Sequence, residues 1–104
     1  GDAAGALEIL DLAAKNGCDN EFTAAIRTSV LQRSGRGGEA AALRMEKIRA
    51  GSRHAVFYAD EAKARLEAGD AAGALEILDL AAKNGCENEF TAAIRTSVLQ
   101  RSGA

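Results

Sequence analysis

The sequence predicts an all-α fold, an α-solenoid of helix-turn-helix repeats, and three observations support this. Aromatic residues make up only 4% of the chain and proline is absent, while the strong helix formers Ala and Leu are abundant. Residues 1–35 recur at 69–103 with one difference, Asp19 against Glu87. Two glycine series share a 34-residue step: Gly1, Gly35, Gly69, Gly103, and Gly17, Gly51, Gly85. We therefore expect a single domain over residues 1–104, with six helices in a right-handed superhelix.

Each glycine of the two series is predicted to end a helix. Glycine adopts positive φ without a Cβ clash, which makes it the preferred residue just past a helix C-terminus. The glycine intervals alternate between 16 and 18 residues, enough for one helix and a short turn. Helices are therefore expected over about 2–16, 20–34, 38–50 and 53–68, and the duplicated segment repeats the first two as the fifth and sixth.

The first two helices each carry apolar residues at helical spacing, a pattern typical of amphipathic helices. In the first, Asp2 is the expected N-cap. Its expected apolar stripe is Ala6, Leu7, Ile9, Leu10, Ala13 and Ala14. In the second helix the expected stripe is Phe22, Ala25, Ile26 and Val30. The fifth and sixth helices repeat both stripes.

The two middle helices have shorter stripes. The third carries Ala41, Met45 and Ile48, and the fourth carries a weaker apolar face of Val56, Ala59, Ala62 and Leu66. Opposite charges four residues apart predict ion pairs on the exposed sides. These pairs are Asp11 with Lys15, Glu61 with Arg65, and Asp79 with Lys83. Because a lone hairpin of Ala-rich helices cannot bury its stripe, the core is expected to come from stacking of neighbouring hairpins.

The net charge of −2 provides no overall field that would attract nucleic acid or an anionic membrane. The charge is uneven along the chain, at +5 over residues 27–53 and −5 over residues 54–90. Charges interrupt every stretch well before the ~18 apolar residues of a membrane span, and no leader is recognisable. Two cysteines, Cys18 and Cys86, are too few for a disulfide framework. We therefore expect a soluble cytoplasmic protein with reduced thiols and no membrane partner.

Catalytic and metal-binding patterns are sparse in the sequence. His54 is the only histidine, so no His-based metal set or catalytic pair can form, and it is expected on the surface at a helix start. Both cysteines are interpreted as structural or incidental, because each precedes an acidic stretch that disfavours the reactive thiolate. The glycine-rich stretch 35–40 follows a helix rather than a strand, so it is predicted to be a turn and not a phosphate loop. The chain is therefore predicted not to be an enzyme, with no metal and no cofactor.

Residues 69–82, GDAAGALEILDLAA, resemble the second helix of a tetratricopeptide repeat. In that pattern a Gly-Asp start precedes small residues, here Ala74 and Ala81, with a bulky residue, here Leu78, between them. Residues 35–51 are more similar to the pentatricopeptide version, whose closing glycine also lies 16 residues on. Tetratricopeptide arrays bind peptides in a concave groove formed by the first helices, whereas pentatricopeptide arrays bind single-stranded RNA.

The resemblance implies a groove lined by polar residues of the first helices of each pair. These are Ser29, Gln32, Arg33, Lys63, Ser97, Gln100 and Arg101. The places of the family's carboxylate clamp hold Ala25 and Ser29, and the base-reading positions fall near Ile26, Asp60 and Ile94. Since isoleucine cannot hydrogen-bond a base, the leading hypothesis is a non-enzymatic scaffold that binds protein or peptide. Single-stranded RNA binding is the alternative.

Thirty-four identities in thirty-five paired positions indicate either a recent duplication or an engineered copy of one segment. An engineered array would be a repeat scaffold without a native ligand. In the predicted register the first and last helices each present an apolar stripe without a partner helix. Repeat arrays normally cover such ends with polar caps. A homo-oligomer through these terminal helices is therefore expected, formed by head-to-tail contacts that close into rings or extend as fibres.

Overall fold

The computed structural model describes residues 2–18 and 20–101, and over these residues it contains six α-helices and no strand. The helices are α1 (Asp2–Lys15), α2 (Glu21–Arg33), α3 (Gly37–Arg49), α4 (Ala55–Glu67), α5 (Ala71–Lys83) and α6 (Glu89–Arg101). The prediction of an all-α chain with six helices is confirmed, and the observed bounds lie within about two residues of the expected ones. The solenoid and its 34-residue period remain predictions.

Glycines of the two series occupy the turns, as the sequence predicts. In the described residues positive φ occurs only at glycine, at Gly17, Gly35, Gly51, Gly69 and Gly85. After α5, the Cys86 N–H donates to the Ala81 carbonyl at 2.7 Å, and after α1 the Cys18 N–H donates to the Ala13 carbonyl at the same distance. These bonds satisfy carbonyls that the end of a helix leaves free. The two copies of this sequence, at the ends of α1 and α5, therefore have the same hydrogen bond after the helix.

Side chains cap the starts of α2, α5 and α6, whereas His54 before α4 makes no such hydrogen bond. Asn20 accepts from the Thr23 N–H at 3.0 Å while Thr23 accepts from the Asn20 N–H at 2.9 Å, and Asn88 and Thr91 make the same two bonds before α6. Before α5, Asp70 accepts from the Gly73 N–H at 2.9 Å. Asp2, the expected cap of the first helix, is placed within α1, and its side chain lies outside the described part.

The chain divides into two compact units, residues 1–47 and residues 48–104. In the first unit α1 packs against α2, and Leu10 and Val30 are buried. Arg27 on α2 donates to Asp11 on α1 at 2.8 Å. Arg44 on α3 is also buried, and its Nη1 donates to Gln32 Oε1 at 3.3 Å. The single domain expected from the chain length remains a prediction.

In the second unit, α4 is the most buried helix and packs against both α5 and α6. Phe57 and Tyr58 are completely buried, whereas Leu66, which the sequence assigned to the stripe, is half-exposed. The expected stripe is thus confirmed at Ala59 and Ala62, which are buried, but it left out the two aromatic rings. The Tyr58 hydroxyl donates to the Ser52 carbonyl at 2.6 Å and accepts from Asn84 at 3.0 Å, so the ring is buried without an unpaired polar atom.

The expected stripes of the other helices match the buried faces only in part. On α2, Phe22 and Ile26 are exposed, while Ala24, Thr28 and Leu31 are buried beside Val30. On α3 only Ile48 of the expected stripe is buried, together with Ala40 and Arg44. The expected stripe of α5 is confirmed at Ala74, Ile77, Leu78 and Ala81, while Ala82 is exposed. On α6, Ile94 and Val98 are buried as expected. Ala-rich helices are apolar on more than one side, so periodicity predicts the helix and only part of the face that a neighbour covers.

One of the three predicted ion pairs forms. In the other two cases the aspartate pairs with an arginine instead of the predicted lysine. Glu61 and Arg65 on α4 pair at 2.9 Å, as expected. Asp11 and Asp79 were assigned to lysines on their own helices, but each accepts from an arginine of the next helix, Arg27 at 2.8 Å and Arg95 at 3.0 Å. Packing of α1 on α2, and of α5 on α6, brings these arginines within reach.

We expect Tyr58→Phe to lower the free energy of unfolding by about 1–2 kcal/mol, because it removes two buried hydrogen bonds and leaves the Asn84 amide without this acceptor. Urea denaturation followed by far-UV circular dichroism measures the change. Asn84→Ala should cost a similar amount, and the double variant should cost less than the sum. Asn16→Ala is the matched control, since Asn16 is the exposed counterpart of Asn84. Parental stability in Tyr58→Phe would contradict this role.

Candidate functional site

A pocket of about 240 Å³ lies between α4 and α6 in the second unit. Its apolar surface comes from Leu66, Phe90, Ala93 and Ile94, and its polar surface from Lys63, Glu67, Ser97 and Arg101. The residues from α6 recur at three- and four-residue intervals, which places them on one face of that helix. A shallow apolar cleft with a few polar groups at its rim is the usual form of a ligand site.

The rim of this pocket carries more positive than negative charge. Lys63 and Arg101 contribute two cations against the single carboxylate of Glu67. The Lys63 ammonium lies 5.7 Å from the centroid of the Phe90 ring, within the range of a cation–π interaction. Phe90 is 53% exposed, although it is one of the largest apolar side chains in the unit. The pocket therefore offers an exposed aromatic ring next to cations, a surface suited to an apolar side chain beside an acidic group.

Three of the residues predicted to line a groove meet at this pocket. Lys63 comes from α4, while Ser97 and Arg101 come from α6. Gln100 is exposed on α6 but is not among the residues that line the pocket.

The three predicted groove residues of the first unit do not converge on one site. Ser29, Gln32 and Arg33 are exposed on α2. Gln32 accepts the hydrogen bond from Arg44 on α3, whereas Arg33 Nε donates to the Ser29 carbonyl within its own helix at 3.4 Å. Arg33 also lines a pocket of about 270 Å³ with Ala3, Ala6, Val30 and Ser34, between α1 and α2. Gln32 thus contacts α3, whereas Arg33 lies toward α1.

Sequence reasoning missed the exposed aromatic ring of the pocket, Phe90. It assigned Phe22 to a buried stripe and repeated that stripe at Phe90, although both rings are exposed. The sequence did contain a signal for this exposed ring. One face of the sixth helix, at helical spacing, carries Phe90, Ala93, Ile94, Ser97 and Arg101. The presence of a cation and a serine on that face indicates a solvent-facing surface rather than a core stripe.

His54 and the glycine-rich turn lie outside this pocket. His54 was expected on the surface, but it is half-buried before α4, with its ring tilted against Phe57 at a centroid distance of 5.6 Å. In the turn between α2 and α3, Arg36 makes two hydrogen bonds to Glu39, at 2.6 and 2.7 Å. These bonds lower the pKa of the Glu39 carboxyl and raise that of Arg36. The guanidinium of Arg36 in this glycine-rich turn thus has a carboxylate partner.

Two features are absent from the residues that the structure describes. No group of three or more His, Cys, Asp or Glu side chains there is arranged to hold a metal ion. Among the six helices, none combines the length and the apolar character needed to cross a membrane.

Comparison with known proteins identifies no relative for this chain. No family model matches the sequence, and neither a curated protein nor a solved structure matches it.

Proposed function

We propose that the chain is a non-enzymatic helical-repeat scaffold that binds a peptide segment of a partner protein in the pocket between α4 and α6. The observation that carries this proposal is the exposed Phe90 ring next to Lys63 and Arg101. The preferred segment is one with an aliphatic or aromatic side chain next to Asp or Glu. The apolar side chain would cover Phe90 and Ile94, and the carboxylate would pair with the cations of the rim.

The helix arrangement supports the repeat-scaffold part of the proposal. α2, α4 and α6 begin at Glu21, Ala55 and Glu89, at equal steps along the chain. Within the second unit α4 contacts the helix that follows it and also α6, the next helix but one. In helical-repeat arrays each hairpin contacts its neighbour in this way, and the helices that lie side by side form a surface for ligands. The free thiols of Cys18 and Cys86 support a reducing, cytoplasmic setting.

The side chains at the base-reading positions favour a peptide over RNA. Ile94 is buried, Asp60 is half-buried, and Ile26 has no group that hydrogen-bonds a base edge. Recognition of single-stranded RNA relies on aromatic stacking and on a positively charged path for the backbone. The lining of this pocket includes the carboxylate of Glu67 as well as two cations, and Phe90 is its only aromatic ring. RNA binding is therefore an outcome of the test below and not a second proposal.

We expect an array of short peptides to bind selectively where an acidic residue adjoins Leu, Ile or Phe. For a peptide selected from the array, fluorescence anisotropy should give a dissociation constant that rises at least about tenfold in Phe90→Ala and in Arg101→Glu, since each removes one part of the recognition. The chain offers matched controls in its other copy. Phe22→Ala and Arg33→Glu change the equivalent residues outside this pocket and should leave affinity unchanged.

Three outcomes would contradict the proposal. The first is an array in which acidic–apolar peptides bind no better than basic or neutral ones. The second is an equal loss of affinity in the Phe90 and Phe22 variants, which would locate binding elsewhere. The third is tight binding of single-stranded RNA that weakens steeply with salt, because that dependence reports contacts to phosphates.

A further inference from the structure

The two copies of the repeated segment are buried on different sides. In the second copy Ala74, Ile77, Ala81 and Cys86 are buried, with Ile77 only 1% exposed. In the first copy the corresponding Ile9 is 69% exposed, Cys18 is exposed, and Ala6 and Ala13 are half-buried. Since the two sequences agree at all of these positions, the difference arises from what packs against them. The exposed side of α1 is called here the α1 face, defined as Ala6, Ile9, Ala13 and Cys18.

In the second copy, α4 covers this side of α5. The two helices pack closely, and Tyr58 and Ala62 of α4 are completely buried. Arg65 Nη1 donates to the Gly73 carbonyl of α5 at 3.4 Å. In the turn after α5, Asn84 donates to the Tyr58 hydroxyl. Because α5 repeats the sequence of α1, its contacts show how this sequence packs when another helix covers it.

α6 shows the opposite asymmetry. Ala24, Thr28 and Leu31 of α2 are buried, while their counterparts on α6, Ala92, Thr96 and Leu99, are exposed. Leu99 is 42% exposed. These three counterparts are called the α6 face. They lie 34 residues after Tyr58, Ala62 and Arg65, which are the α4 positions turned toward α5. The α6 face therefore corresponds to the surface that α4 uses to cover α5.

The charges of the two helices favour contact between them. α1 contains three acidic residues and Lys15, a net charge of −2, while α6 contains two arginines and Glu89, a net charge of +1. By contrast, α4 and α5 each carry a net charge of −1. Contact between α6 and α1 thus brings helices of opposite net charge together, whereas α4 and α5 have net charges of the same sign. Opposite net charges favour the encounter of α6 with α1.

We propose that the α6 face of one molecule packs against the α1 face of a second molecule, with the arrangement that α4 and α5 have within one chain. The contact joins two different surfaces, so each molecule has one surface of each kind and association is head-to-tail. Ile9 is then buried as Ile77 is, and Leu99 takes the place of Arg65. The α6 face is separate from the pocket residues Phe90, Ile94 and Arg101, so self-association does not depend on the proposed function.

Sedimentation velocity over a range of concentrations, with reductant present to prevent disulfides through Cys18, tests the proposal. The parent chain should increase in mass with concentration. Ile9→Arg and Leu99→Arg should each raise the dissociation constant at least about tenfold, since each brings a charge into an apolar contact. Ala14→Arg is the control, because Ala14 and its counterpart Ala82 are both exposed and take no part in the α4–α5 contact.

Mixing the two disrupted variants gives the sharpest result. Ile9→Arg retains an intact α6 face and Leu99→Arg retains an intact α1 face, so an equimolar mixture should form a heterodimer and no larger species. A parent chain that stays monomeric at every concentration would overturn the proposal. So would a mixture that stays monomeric, or an Ala14→Arg variant that loses association as fully as Ile9→Arg.

Discussion

Ile77→Ala is expected to lower the free energy of unfolding by about 2–5 kcal/mol, whereas Ile9→Ala should change it by less than about 0.5 kcal/mol. The two isoleucines occupy the same place in two identical helical sequences. Ile77 is 1% exposed on α5, which packs closely against α4, and its truncation leaves a cavity that the close-packed helices cannot fill. Ile9 is 69% exposed, so its truncation mainly changes surface already in contact with water.

Urea denaturation followed by far-UV circular dichroism measures both values, at a concentration where the parent chain is monomeric. The comparison controls for helix propensity, because the substitution and its neighbours in sequence are the same in both variants. Equal losses in the two variants would contradict the burial pattern, since they would mean that α1 and α5 are covered to the same extent.

The two thiols should differ in reactivity by at least about 100-fold. Cys18 is exposed, while Cys86 is buried with its thiol donating to the Ser52 carbonyl at 3.5 Å. A reagent reaches a buried thiol only after the surrounding structure opens. An opening that costs about 2.7 kcal/mol or more slows the reaction by this factor. The sequence contexts are nearly identical, so the contrast reports packing rather than local chemistry.

A chromogenic disulfide reagent should reveal one fast and one slow thiol in the native protein. Cys18→Ser should remove the fast phase and Cys86→Ser the slow phase. In denaturant both thiols should react at nearly the same rate, because their immediate neighbours differ only in Asp19 against Glu87. Two fast phases in the native protein would show that Cys86 is accessible.

Sequence reasoning located part of the candidate site and missed the rest for a physical reason. Lys63, Ser97 and Arg101 were placed on a groove because polar residues on these helices face solvent, and the structure brings them to one pocket. The expected buried stripe is confirmed at Ile94 but wrong at Phe90. An aromatic residue in an amphipathic pattern is normally core, and the serine and cation on the same face were the sequence signal that Phe90 is exposed. The expected first-unit residues failed to converge because Gln32 hydrogen-bonds to α3 and Arg33 lies toward α1.

Interactions between residues close together in the chain could be predicted from the sequence alone. The six helices, the glycine turns with positive φ and the Glu61–Arg65 pair all depend on residues within about five positions of one another. The choice of buried face was decided only in the folded chain. The same helical sequence exposes Ile9 and buries Ile77, because burial depends on whether another helix lies alongside, and Ala-rich helices are apolar on more than one side.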